Sequence, residues 1–192
     1  MKFITTLFSL FISSFIISQI PIGNPIDGID WLDQFGTSIS ISGDGNIIAS
    51  GASRNNTNDS GYVEVYSFDG TDWVQMGSTL HADTARGLFG HALSLSSNGQ
   101  TLAVADKRGA IPSGSSGGLG LVRVYNYING DWQQIGSDII GIWQESFAYD
   151  VALSGDGNRL AISNARGGVR IFENNAGNWQ QVGSPIPDFF IG

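Results

Sequence analysis

The 192-residue chain has no cysteine. That excludes disulfide scaffolds, thiolate metal sites, iron–sulfur clusters and cysteine nucleophiles. Charge is scarce, at 14% of residues, and basic charge scarcer still: 9 Lys and Arg stand against 17 Asp and Glu, a formal net charge of −8. Nucleic acid requires clustered Lys and Arg to neutralise phosphate; no such cluster occurs, so a nucleic-acid partner is excluded. Histidine is confined to His81 and His91. Neither has a nucleophile–base neighbourhood such as a GxSxG elbow or an HExxH helix, and His91 reads as a variable strand position. Helical patterns of about 10–15 residues between apolar runs are also missing, which removes a parallel α/β sheet.

Glycine, by contrast, is abundant: 27 residues without a three-residue period, as in a β-rich chain with many tight turns. Residues 1–19, MKFITTLFSLFISSFIISQ, carry Lys2 ahead of an apolar stretch that reaches Ser18 and Gln19, the pattern of a secretory signal peptide. Thr5, Thr6, Ser9, Ser13 and Ser14 interrupt the stretch, which is shorter than the roughly 20 apolar residues of a membrane span. The expectation is a bacterial protein that is secreted or held at the cell surface, with no membrane span in the mature chain.

Self-comparison decides the fold class. FGTSISISGDGNIIASGAS from Phe35, FGHALSLSSNGQTLAVADK from Phe89 and FAYDVALSGDGNRLAISNA from Phe147 align with one another. So do YVEVYSFDGTDWVQMGSTL from Tyr62, LVRVYNYINGDWQQIGSDI from Leu121 and GVRIFENNAGNWQQVGSPI from Gly168. In the first repeat, four runs of strand character span Phe35–Ser42, Ile47–Ser53, Tyr62–Phe68 and Asp72–Leu80. The first run alternates, with Phe35, Thr37, Ile39 and Ile41 on one face. Asp44-Gly45, Asn98-Gly99 and Asp156-Gly157 close hairpins, as Asp69-Gly70, Asn129-Gly130 and Ala176-Gly177 do between the third and fourth runs. Each repeat is therefore expected to be a four-stranded antiparallel meander, and a tandem array of such units predicts an all-β chain of β-propeller blades. Blades are expected at 35–88, 89–146 and 147–186. Residues 20–34 are the remnant of a preceding outer strand and its connection, and 187–192 begin a connection to a further blade. Three blades make an incomplete ring, to be closed by further blades or by self-association.

The Phe-Gly opening, the SGDGNIIAS-like hairpin and the following GxVxVY strand resemble FG-GAP-type repeats, found in integrin α-chains and in exported bacterial proteins. The WxQxG of the last strand is similar to repeats of secreted Bacteroidota proteins. The integrin-type Ca²⁺ loop implied by that resemblance is missing: each first hairpin offers at most one carboxylate, Asp44 or Asp156, with Asn98 in the middle repeat, where Ca²⁺ takes six to eight oxygens. These residues read as turn formers, and no metal or cofactor is expected. The loop Arg54–Gly61 has one carboxylate, Asp59, and two glycosylation sequons at Asn55 and Asn58.

Ligands are expected at the loop-bearing face. There the connections between second and third strands hold Arg54, Lys107 with Arg108, and Arg166, basic side chains recurring at one place in an acidic protein and suited to carboxylates. Connections between repeats pass through His81, Asp83 and Arg86 and through Trp143, Gln144 and Glu145. The reading favoured is an exported, non-enzymatic module for extracellular binding or adhesion to a protein or glycan, part of a larger propeller. The alternatives are a polysaccharide-acting enzyme using carboxylates such as Asp83, Glu145 and Asp150, and a structural segment with no ligand site. Trp73, Trp132 and Trp179 recur in the last strand as packing anchors rather than sugar platforms.

Overall fold

A computed structural model describes residues 21–54, 60–83, 87–110, 118–142, 147–165 and 168–186. The expected signal peptide, the two sequons, Arg86, Arg166, the segment 143–146 and the tail after Ile186 lie outside the described residues. Within them the protein is all-β: three antiparallel sheets of four to five strands, with no helix. Consequently no described helix is long and apolar enough to cross a membrane.

The first sheet comprises β1 (Phe35–Ile41), β2 (Ile47–Ala52), β3 (Tyr62–Phe68), β4 (Trp73–Gln75) and β5 (Leu80–His81). The second holds β6 (Phe89–Leu95), β7 (Thr101–Asp106), β8 (Leu121–Ile128), β9 (Asp131–Gln134) and β10 (Ile139–Ile140). The third holds β11 (Val151–Leu153), β12 (Arg159–Ser163), β13 (Val169–Asn175) and β14 (Asn178–Gln181). The fourth run expected over Asp72–Leu80 is split. Gly77, at φ +77°, turns the chain away after Gln75, and Leu80–His81 rejoin the far end of β3 opposite Tyr62 and Val63. Ile186, bridged to Val169, repeats that return in the third sheet.

The first hairpins form for one local reason. Ser42 Oγ donates to Asp44 Oδ1 at 2.6 Å and accepts the Ile47 amide at 2.9 Å, while Asp44 Oδ1 also takes the Asn46 amide at 3.0 Å. Ser96 with Asn98, and Ser154 with Asp156, reproduce the arrangement. The Asp, Asn and Asp oxygens are thus used inside the turn, as side-chain turn formers are.

Packing between sheets is directional. Ala49, Val63 and Val65 of the first sheet meet Leu93, Leu95 and Leu102 of the second. Ala103, Val122 and Val124 of the second meet Val151, Leu160 and Phe172 of the third. Each sheet offers small side chains to the sheet after it and large ones to the sheet before it. In β1 the apolar face seen in the alternation is the one that no described sheet covers, and the serine face is the one that meets the second sheet. Ile39 and Ile41 are exposed, and Ser40 lies in the interface, its hydroxyl oxygen accepting the Leu95 amide at 3.0 Å. Ser94 accepts the Leu153 amide likewise at 3.0 Å; the third repeat has Ala152 at this place. The hairpin turns are linked as well, Gly43 N–H to Ser97 O and Ser97 N–H to Gly155 O, both at 2.8 Å.

At the outer edge, Trp132 Nε1 donates to Met76 O at 2.7 Å, and Asp131 Oδ1 accepts the Ser78 amide at 2.8 Å. A Cβ on Gly77 would lie 2.8 Å from Trp132 Cδ1, so glycine lets the indole lie on the backbone. Residues 22–24 stand in the same relation to the first sheet: Trp73 Nε1 donates to Ile22 O at 3.0 Å and Asp72 accepts the Asn24 amide at 2.9 Å. These two tryptophans anchor neighbouring segments to each other. In the third sheet Asn178 replaces the aspartate, and the buried Trp179 indole nitrogen has no acceptor among the described residues.

Candidate functional site

A residue at positive φ is the second of β1 and of β6, Gly36 (+84°) and Gly90 (+78°), and its counterpart ahead of β11 is Ala148 (+59°). In β1 and β6 this produces a β-bulge, between Phe35 and Ser38 and between Phe89 and Ala92. Bulges re-aim the side chain at the extra residue, here Thr37 and His91, with Tyr149 following Ala148 in the third repeat. Thr37 accordingly leaves the alternation assigned to it from sequence.

The second and third of these positions meet. The His91 and Tyr149 rings are edge to face with centroids 6.0 Å apart, and Lys107 Nζ stands 4.2 Å from the Tyr149 ring centroid, a cation–π distance. Lys107 follows β7, which ends in the buried Asp106. Asp106 Oδ1 accepts the Leu88 amide at 2.7 Å and the Arg108 amide at 3.1 Å, tying the exit of β7 to the start of β6. Burial pushes the Asp106 carboxyl above its ordinary range, against the amides and the Arg123 charge. In the first sheet the corresponding corner is held by Asp33, which accepts the Phe35 and Asp30 amides at 2.9 Å and the Tyr62 hydroxyl. Burial works against the Asp33 carboxylate, but those bonds together hold it below its usual range. Asn164 occupies the place of Asp106 in the third sheet.

Of the basic residues singled out from sequence, Arg54 and Arg108 follow β2 and β7 at equivalent places and are exposed. The Arg54 amide donates to Asp33 O at 3.3 Å. Among the described ones, Lys107 is drawn into a cluster, with Tyr149 and His91. Sequence inspection missed that cluster, although His91 and Tyr149 align directly after Phe89-Gly90 and Phe147-Ala148. Of the carboxylates considered for hydrolysis, Glu145 lies outside the described residues, and Asp83 and Asp150 have separate partners. Asp83 pairs with Arg123, which also makes a bidentate pair with Asp138 at 2.9 and 3.0 Å. Asp150 accepts the Val151 amide at 2.9 Å. Among the described residues no group of three or more His, Asp or Glu side chains could hold a metal.

His91 is half-buried; burial first and the Lys107 charge second hold its imidazole below the usual value, with Asp150 and Asp106 opposing. Between that lowered value and about 6.5 the unfolded chain binds a proton that the folded chain does not, so stability is lost as pH is lowered through that window. Thermal melts from about pH 7 to 5 are therefore expected to show a decline that His91→Gln flattens and Lys107→Met reduces. An imidazole found by NMR titration at or above the ordinary histidine value would contradict this.

Neither a family model nor a curated protein sequence matches the chain. In fold it is similar to the crystal structure of a provisionally assigned 6-phosphogluconolactonase from Bacteroides uniformis, with TM-score 0.51, 22% identity, and coverage of 79% of this chain and 40% of that one. It is also similar to KlAtg21 in complex with the coiled coil of AgAtg16, with TM-score 0.54, 9% identity, and coverage of 78% and 41%. The chain spans about two fifths of either neighbour's length, and the likeness is one of fold.

Proposed function

We propose that the chain is an exported, non-enzymatic β-propeller module of the FG-GAP type, part of a larger propeller, that binds an acidic extracellular glycan or acidic protein segment at its loop-bearing face. The three sheets are blades in this reading, packed face to face in chain order, with the serine-to-strand and turn-to-turn hydrogen bonds repeated at both internal interfaces. The observation that carries the ligand class is the placement of Lys107. Its ammonium is held on Tyr149 beside His91, with Arg108 next in the chain and Arg54 at the equivalent place of the first sheet. An ammonium held on an aromatic ring beside exposed guanidinium groups gives carboxylates a local target that the overall charge does not offer.

Binding to an acidic polysaccharide such as polygalacturonate, followed by calorimetry at low salt, is expected to weaken about 10–100-fold when Arg54, Lys107 and Arg108 are changed together to serine. That corresponds to roughly 0.5–1 kcal/mol for each charge removed. The same affinity in wild type and triple variant would remove the reading.

A further inference from the structure

The two open ends of the stack complement each other as its internal interfaces do. The first sheet leaves Ile39 72% and Ile41 59% exposed, with Ile48 half-buried beside them. Their counterparts in the second sheet, Leu93, Leu95 and Leu102, are buried against the first. At the far end the third sheet presents Ala161, Val169 and Ile171, which correspond to Ala49, Val63 and Val65. Those three are buried beneath the second sheet. One end thus carries the large face and the other the small face of a single repeating interface.

Charge agrees with this pairing. Ile47 lies against the turn of the following sheet, where a Cβ on Gly99 would come within 2.5 Å of Ile47 Cδ1, and Thr101 lies likewise against Gly157. The third-sheet counterpart is the exposed Arg159, 3.2 Å from Glu173. Continuing the same packing brings Arg159 to the turn at Asp44 and Gly45, where the Asp44 carboxylate is exposed. It also sets the Gly155 amide opposite the Gly43 carbonyl, extending the links from Gly43 to Ser97 and from Ser97 to Gly155.

We propose that the open face of the first sheet docks on the open face of the third sheet in a second copy of this chain, two copies closing head to tail into six sheets. A heterologous contact of this kind closes when its rotation allows, and six lies within the four to eight sheets typical of such rings. Ile22–Asn24 compete with the docking. They hold the place on Trp73 and Asp72 that Val182–Ser184 of the second copy takes. The inference rests on sheet packing and not on the ligand reading, so either can fail alone.

Sedimentation velocity from about 1 to 300 µM is expected to show a monomer–dimer equilibrium, and Gly23→Val to lower its dissociation constant about tenfold. A Cβ at Gly23 falls 2.9 Å from Trp73 Cδ1, so valine unseats the competing segment. The double variant Ile39→Asp, Ile41→Asp and the single variant Ala161→Asp are each expected to remain monomeric. Mixed together they are expected to form a dimer through the one junction both leave intact. Monomer at every concentration in wild type and Gly23→Val overturns the proposal even if Ala161→Asp fails to fold. So does a dimer that persists in folded Ile39→Asp, Ile41→Asp or in folded Ala161→Asp, which would mark a contact elsewhere or face to like face.

Discussion

Trp132→Ala is expected to cost about 3–5 kcal/mol of folding stability, a fall of roughly 6–20 °C in Tm for a chain of this size. Three losses coincide at this side chain. Its buried ring packs against Tyr127 with centroids 5.3 Å apart, it lies on Gly77, and its N–H supplies the bond to Met76 O across two sheets. Trp132→Phe keeps most of the apolar contact and loses the bond, so about 1–2 kcal/mol is expected. Trp73→Ala should cost less than Trp132→Ala, because Trp73 is more exposed and its acceptor, Ile22, belongs to the leading segment rather than to a sheet. Denaturant melts of the three variants check the order. Equal losses at Trp73 and Trp132 would show that bridging two sheets adds nothing at Trp132.

Gly61→Ala is expected to be comparably damaging, at about 3 kcal/mol or more, for a steric reason alone. A Cβ there would sit 1.9 Å from Phe89 O and 2.9 Å from Ala52 O, and both are backbone atoms that cannot rotate away. Either the first two sheets separate or β3 shifts in register. Gly70→Ala is the matched control. It has open space around it but a φ of +100°, so it meets only the backbone penalty of roughly 1–2 kcal/mol. A Gly61 variant no worse than the Gly70 variant would mean that the sheets can separate slightly at little cost.

The hairpins were legible in the sequence because their causes are local: a serine, an Asp or Asn two residues later and a glycine suffice to fold each turn. The tryptophan anchors were legible through their spacing. The buried face of β1 was not. Alternation shows that two faces differ, but it does not say which one meets a neighbour, and in a stack of sheets the serine face can be the covered one. The split between β4 and β5 was hidden because Gly77 responds to an indole 55 residues later in the chain. The Lys107–Tyr149–His91 cluster joins two repeats, so reading each repeat separately could not assemble it. Asp33 and Tyr62 meet for a similar reason, from positions that share no motif.

The third sheet keeps the shape of the repeat while lacking several of its fasteners. Ala148 holds a left-handed conformation that glycine holds in β1 and β6, Ala152 has no hydroxyl to offer, and the buried Trp179 nitrogen and Asn164 Oδ1 have no described partner. Stability in a stack with neighbour-only coupling is distributed unevenly. The first two sheets, with the full set of links between them, are therefore expected to form the cooperative unit that opens last. Unfolding is expected to proceed inward from the third, so that amide protection measured by hydrogen exchange should be graded along the chain even though the three repeats look alike.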